Sequence, residues 1–407
     1  MPFLLGLGVV ALQPASAQSP DRRPCVDTGP MRPLTARVPQ RDWRKGLIRI
    51  LLGCAVAGFG VLLVVLTALP LSPSNEWWIR VWDFPRLQIA ILLAATMCAV
   101  LAVFGFKRPG ALALLVAMLS AFALQAARMW PYTPPHAVQV ERSAVPDCPR
   151  PSRLSLLTAN VLMTNRESGP LLDLIGRLDP DLVLLAETDA WWDEQLAPVQ
   201  ARYPHRIAAP RDDTYGLHLF SRFPLVEPRV RFLIDGYVPS IRTGLRLPSG
   251  EMVDFHGVHP KPPPLQDTAR RDAELLITAR EVRETTRAPS IVAGDLNDVA
   301  WSRTTRLFQK VGGLLDPRVG RGFYPTFNAN WPLLRWPLDH VFFGPQFRLL
   351  HFSVEGHIGS DHFPVHVVLC HAPDLAASQR RPNPEPADLE RAREAIQEGR
   401  ERAEKRE

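Results

Sequence analysis

The chain has 407 residues, a formal net charge of +6 and five cysteines. That length accommodates one large domain with appendages or two ordinary domains, and composition does not choose between them. The arginine excess suits a phosphate-bearing partner or the inner surface of a membrane, but no Lys/Arg block is long enough to act as a nucleic-acid arm.

Residues 1–45 form a leader that resists a simple reading. "MPFLLGLGVVALQPASAQS" ends in an Ala-x-Ala-like run but lacks the positive n-region of a signal peptide. Met31, just ahead of an Arg-rich stretch, is an alternative start to Met1. Three uncharged apolar runs follow inside 46–130: Ile50 to Pro70, Leu87 to Phe106 and Gly110 to Ala127. Each approaches the roughly 20 residues that cross a hydrocarbon core, which predicts three transmembrane helices. Cys54 in "LLGC" opens its apolar run instead of closing it, so it reads as a small residue within a helix and not as a lipidation site.

Charge sets the expected orientation. Arg32, Arg37, Arg41, Arg44, Lys45 and Arg49 precede the first run, and Lys107 with Arg108 lies between the second and third. Both groups belong on the cytoplasmic side, and Trp77, Trp78, Trp82, Trp130 and Tyr132 then form an aromatic belt on the far side. Everything after Arg128 is expected outside the cytoplasm, in a plasma or inner membrane protein. The runs carry none of the ionisable residues that mark a transport pathway, so they read as an anchor.

Residues 131–152 are Pro-rich and predict a semi-rigid spacer off the membrane. From Arg153 short apolar strands alternate with amphipathic stretches: "RLSLLTANV", a helix near Leu171 to Arg177, "DLVLLAET", "GLHLFSRFPL", "TGLRL", "MVDFHGVH", a helix from Asp267 to Thr286, "SIVAGDLN", "LDHVFF" and "FPVHVVL". The pattern predicts an α/β domain of layered or sandwich type over 153–371. Residues 372–407 are charged, with few bulky apolar side chains, and read as a solvated, partly helical tail. Cys148 and Cys370 flank the domain and are either a disulfide between its first and last elements or two buried thiols.

Several strands share one habit: they begin or end at a residue useful in catalysis. Asn160, Glu187 and His259 end three of them, Asp295 and Asn297 close "SIVAGDLN", Asp339 and His340 open "LDHVFF", and Ser360, Asp361 and His362 precede the last. Each alone has a bland explanation as a turn former or helix cap. If these ends converge, however, four carboxylates and two histidines meet in one small volume, where uncompensated like charge opposes folding. A cation is required, and Mg2+, with Mn2+ as an alternative, suits hard oxygen ligands better than zinc does. His256 is three residues before His259 on the same strand and should face the other side. His205, His218, His351 and His357 read as structural or solvent-facing.

Asn160, Glu187, His259, "GDLN", "LDH" and "SDH" occur in the order and approximate spacing of the endonuclease/exonuclease/phosphatase superfamily, and the chain resembles that family from about Arg153 to Leu369. The resemblance implies a four-layer α/β sandwich, two packed sheets flanked by helices. It implies that Glu187 is the main metal ligand, with Asn160 beside it and Asp361 as a further metal-side carboxylate. Asp295 would activate water, Asn297 would bond a phosphoryl oxygen, His362 held by Asp339 would bind or protonate around the phosphate, and His259 would face it from the other side. The expected function is that of a membrane-anchored phosphodiesterase of nuclease or phospholipase type acting on a nucleic acid or phospholipid head group. A phosphomonoesterase of inositol-phosphatase type and a non-catalytic binding protein remain alternatives. Loops "HPKPPPLQD" and "NANWPLLRWP" are placed at the mouth, where Lys261, Arg270, Arg271 and Arg335 are candidates to receive phosphates, and Trp331 and Trp336 to stack on bases or dip into lipid.

Overall fold

A computed structural model describes residues 43–262, 267–285 and 288–405, so residues 1–42 of the leader, with Cys25 and Met31, and Thr286 lie outside the described residues. The chain forms two compact units, Met1–Arg49 and Ile50–Glu407; the second holds the anchor and the domain. Its elements in chain order are α1 (Trp43–Ala68, which begins in the first unit), α2 (Trp77–Arg80), α3 (Arg86–Phe104), α4 (Pro109–Met129), β1 (Arg153–Asn160), α5 (Gly169–Leu178), β2 (Leu182–Ala186), α6 (Ala190–Gln195), α7 (Ala197–Gln200), β3 (His205–Ala209), β4 (Leu217–Ser221), β5 (Leu225–Phe232), β6 (Pro239–Arg246), β7 (Met252–Gly257), α8 (Ala269–Glu284), β8 (Ser290–Asp295), α9 (Arg303–Gly312), β9 (Asp339–Phe343), β10 (Phe347–Val354), β11 (Val365–His371) and α10 (Pro386–Glu404).

Three helical segments, Trp43–Leu71, Arg86–Phe104 and Pro109–Tyr132, are long and apolar enough to cross a membrane. They approach one another over small residues: a side chain at Gly60 would meet the Met118 sulfur at 3.0 Å, the close packing that apolar helices use where lipid is as apolar as they are. At the end of the group nearest the domain they are tied by polar side chains. Arg86 Nη1 donates to Gln125 Oε1 at 2.7 Å and Gln125 Nε2 donates to Thr67 Oγ1 at 3.0 Å, while Arg86 also pairs with Asp83.

The domain is four layers deep. One sheet has the order β10-β11-β1-β2-β4-β3 and the other β5-β6-β7-β8-β9. Strand alternation sorts each apolar run onto two faces. Leu154, Leu156, Leu182, Leu184, Ile291, Val341 and Phe343 fill the space between the sheets. Their sequence neighbours Leu157, Val183 and Leu185 turn outward to Leu174, Ile175 and Trp192 of α5 and α6. Val292 and Phe342 do the same toward Leu275 and Leu276 of α8 and Phe308 of α9. Strands buried on both faces read as unbroken apolar runs, which is why β2 and β8 were legible. β3, β5 and β10 were not, because their exposed edge positions break the run.

Two segments differ from expectation. The tail packs as α10 on α8, with Ala392 and Ile396 buried among α8 and α9 side chains, and Gly399 allows close approach to the Ala269 carbonyl. Only four positions of α10 are buried, so a one-sided stripe of small residues was hidden among its charges. The Pro-rich segment is laid along the domain and does not stand off as a spacer. Tyr132, Val140 and Cys148 are buried, the Gly320 amide donates to the Pro131 carbonyl, and Cys148 is bonded to Cys370 with Cα atoms 6.0 Å apart.

Glu274 on α8 is fully buried with Oε1 unpartnered. Burial, reinforced by Asp235, pushes its pKa up to about 8 from 4.5. The folded state therefore holds a proton that the unfolded chain releases above about 4.5, and stability falls as pH rises across that window. Glu274→Gln is expected to flatten this slope, so that thermal midpoints of the variant change less between about pH 5 and pH 8 than those of the wild type. Parallel slopes in a thermal scan would exclude Glu274 as the source.

Candidate active site

Topology brings the scattered residues to one end of the two sheets. β1 and β2 are parallel neighbours in one sheet, and β7 and β8 in the other. Their carboxyl ends deliver Asn160, Glu187, His259 and Asp295. β9 is antiparallel to β8, and the register sets Asp339 opposite Asp295. β11 is antiparallel to β1 with Val365 opposite Thr158, so the turn before it brings His362 to the same end.

Local backbone fixes each side chain. Gly294 has φ of 135°, and a Cβ there would lie 2.0 Å from the Val258 carbonyl oxygen, so β7 and β8 can meet at this point only around glycine. Glu187 and Asn297 also adopt positive φ, 62° and 51°, as the chain turns sharply off β2 and β8. Ser360 donates to the Asn160 carbonyl at 2.8 Å and accepts from the His362 amide at 3.0 Å, pinning the "SDH" turn to β1. Thr326, which sequence reasoning missed, accepts from the amides of Leu338 and Asp339, both at 3.1 Å. No sequence pattern marked it, because its role depends on the loop after it folding back to bring Leu338 and Asp339 against its hydroxyl.

The polar contacts form one network. Asn160 Nδ2 donates to Glu187 Oε1 at 2.8 Å and to Asp295 Oδ2 at 3.1 Å, and the Met163 amide donates to Glu187 Oε2. His362 Nδ1 donates to Asp339 Oδ2 at 2.8 Å, which leaves Nε2 turned toward Asp295 Oδ2 at 3.6 Å. His259 Nε2 lies 3.8 Å from Asp295 Oδ2 and 4.0 Å from Glu187 Oε1. The Asn297 amide donates to Asp295 Oδ1, and its side chain to the Pro260 carbonyl. Asp361 sits on the rim, partly exposed. Its carbonyl accepts from Ala329, and its charge acts on both Glu187 and His362.

Burial dominates the electrostatics. It raises the pKa of Glu187 and of Asp295 and lowers that of His259. At His362 burial acts in the same lowering sense, but the charges of Asp339 and Asp295 and the Asp339 hydrogen bond outweigh it and push the value up to about 10. Ligand atoms of Asp295, Asp339 and His362 lie within 4.8 Å of one another. Both His259 nitrogens and Asp339 Oδ1 are buried without a hydrogen-bond partner. Carboxylates and unpartnered polar atoms turned into one cleft are the donor set that a hard divalent cation and a phosphate oxygen would satisfy together.

Other candidates resolve differently. Arg270 pairs with Asp235 at 2.6 Å, and Arg271 is buried against Asp272 and the Asn297 carbonyl, so neither stands at the mouth. Arg335 donates to the Asn328 and Ala329 carbonyls, and Lys261 bonds the Tyr237 hydroxyl. His340 is a buried link between Arg318 and the Asp298 carbonyl. His256 faces away from the cleft toward Asp254, as alternation requires. Ser302 caps α9, and Asp298 accepts from Ser302 and lies 3.5 Å from Arg271. A cavity of about 610 Å3 lined by Asn75, Arg303, Lys310 and Glu398 contains none of the site residues; chemistry, not void volume, locates the site.

Gly294→Ala is expected to destabilise the fold by about 2–4 kcal/mol, because carbonyl and Cβ cannot share that space. Denaturant unfolding checks it, and a loss below about 0.5 kcal/mol would mean the two strands part freely.

No curated protein matches the chain. Solved structures that match it include humanized D. rerio TDP2 at 18% identity, covering 54% of this chain and 99% of that one with a TM-score of 0.46. The human nocturnin catalytic domain matches at 18% identity, 55% and 95% coverage and a TM-score of 0.45. A Bacteroides thetaiotaomicron mannosyl-6-phosphatase matches at 20% identity, 53% and 99% coverage and a TM-score of 0.43. The profile of the Endonuclease/Exonuclease/phosphatase family matches residues 157–362, half of the chain and the stretch that carries every residue of the cleft. The chain therefore belongs to the endonuclease/exonuclease/phosphatase family of divalent-metal-dependent phosphoesterases.

Proposed function

We propose that this protein is a membrane-anchored, extracytoplasmic, Mg2+-dependent phosphodiesterase that cleaves its ester by in-line attack of water. The observation that carries the reading is the relay Asp339–His362–Asp295, with 2.8 Å between the first pair and 3.6 Å between the second. Pairing with Asp339 fixes the His362 tautomer and keeps the ring protonated, so Nε2 can donate to a phosphoryl or leaving oxygen. Asp295, whose basicity burial increases, accepts the proton of the attacking water. Asn297 offers its amide, and His259 an uncommitted ring nitrogen, to the remaining phosphoryl oxygens. Glu187, Asn160 and Asp361 would hold Mg2+, or Mn2+ in its place. The cation would supply charge neutralisation at the phosphoryl group as the negative charge builds.

Two features support the outward placement. Lys/Arg residues cluster before α1 and between α3 and α4, and a disulfide joins the first and last segments of the domain.

The full-length protein in detergent should hydrolyse bis(p-nitrophenyl) phosphate with Mg2+ and lose that activity in EDTA. Asp295→Ala should lower kcat by about 10²–10⁴-fold without unfolding the protein. Equal turnover by wild type and variant would remove the basis of the assignment, and a preference for p-nitrophenyl phosphate would favour a phosphomonoesterase. Topology has its own check: a reporter that fluoresces only in the cytoplasm, fused to the C-terminus, should stay dark.

A further inference from the structure

One wall of the cleft is built onto the membrane anchor. Segment 327–337 leaves the site at Phe327, whose ring lies 4.8 Å from that of His362, and returns through Trp336, which bridges back to Phe327. The Trp336 ring meets Phe84 edge-on at 5.8 Å, two residues before α3 begins. Gln88, in the first turn of α3, donates from its side chain to the Leu333 carbonyl at 2.8 Å. Two rings thus separate His362 from the outer end of a helix that crosses the bilayer.

The tip of this segment carries Trp331, Leu333 and Leu334, which are 65%, 84% and 45% exposed. They are held outward by a built turn. The Leu334 amide donates to the Trp331 carbonyl, the Asn328 amide donates to the Leu334 carbonyl, and Arg335 is spent on the Asn328 and Ala329 carbonyls. The patch continues onto the outward faces of Leu87, Ile91 and Leu92 on α3. Large apolar side chains fixed outward beside a membrane span match lipid and not water.

We infer that the 327–337 tip seats in the head-group layer of the bilayer that the anchor crosses, and that the site takes the phosphodiester of a bilayer lipid. This rests on the phosphodiesterase reading above. A lipid head reaches the cleft by lateral diffusion, whereas nucleic acid would have to approach a wall already pressed to the membrane. The cations needed to track a nucleic-acid backbone are also committed, Arg270 to Asp235, Arg271 to Asp272 and Arg335 to its own loop.

The test uses full-length protein reconstituted in vesicles of phosphatidylethanolamine, phosphatidylglycerol and cardiolipin. Release of water-soluble head-group phosphate is followed beside turnover of bis(p-nitrophenyl) phosphate and of added single-stranded DNA and RNA. Wild type should release head group, and Trp331→Ser/Leu333→Ser should lower that rate by about tenfold or more while soluble-diester turnover stays within about twofold. An NBD probe on Leu333→Cys, with Cys25, Cys54 and Cys98 replaced by alanine, should be quenched by doxyl-labelled lipid. Failure of wild type on the soluble diester sinks the phosphodiesterase reading and this inference with it. Soluble turnover without lipid cleavage, an unchanged lipid rate in the double variant, an unquenched probe, or nucleic acid cleaved faster than lipid overturns this inference alone.

Discussion

The approach of the Val258 carbonyl to Gly294, closer than any side chain would allow, is the constraint on which the site depends. It lets β7 and β8 run side by side to their last residues, so that His259 and Asp295 leave two adjacent strands at one height. From there the β8–β9 register carries Asp339 to its place opposite Asp295. The "SDH" turn, tied to β1 through Ser360, closes the ring with His362. Backbone pairing, not side-chain attraction, assembles a group of carboxylates that would otherwise repel one another.

Once assembled, the group is coherent because its members have opposite needs. Burial raises the basicity of Asp295 while the same burial, opposed by two carboxylates, leaves His362 strongly cationic. Two neighbouring groups with values pushed apart in this way are suited to taking a proton at one point and giving one at another. Asn160 spaces Glu187 from Asp295 with a neutral donor, so the two carboxylates share one amide instead of facing each other bare.

The three apolar helices are tied closely to the domain. Trp301 donates to the Asp83 carbonyl, the Thr268 amide donates to Asn75, Arg303 bonds Ser72 and Asn75, and Tyr132 donates to Ala300. These contacts join the segments between and after the spans directly to the loop that follows Asn297 and to the ends of α8 and α9. The end of the sandwich that carries the candidate site is consequently held at a set distance from the three apolar helices, and α10 reinforces the same side through Asn75 and Glu398.

The residues of the candidate site were legible because they sit where apolar runs stop: Asn160, Glu187, Asp295 and Asp339 each stand out as polar against a buried strand. Their order and spacing sufficed for a family resemblance, and the lengths of three apolar runs sufficed for three helices long and apolar enough to cross a membrane. Pairings with no local signature were hidden. The docking of α10 and of the Pro-rich segment rests on partners far along the chain, Thr326 beneath Asp339 and Arg271 turned inward to the Asn297 carbonyl rest on how loops fold back, and the edge strands β3, β5 and β10 were masked by their exposed positions. Sequence by itself determined which chemistry the chain carries, since residue type and strand period are local properties. Only the tertiary structure decided which polar groups face the cleft and which wall of it meets the anchor, because those depend on register and on loops closing over hundreds of residues.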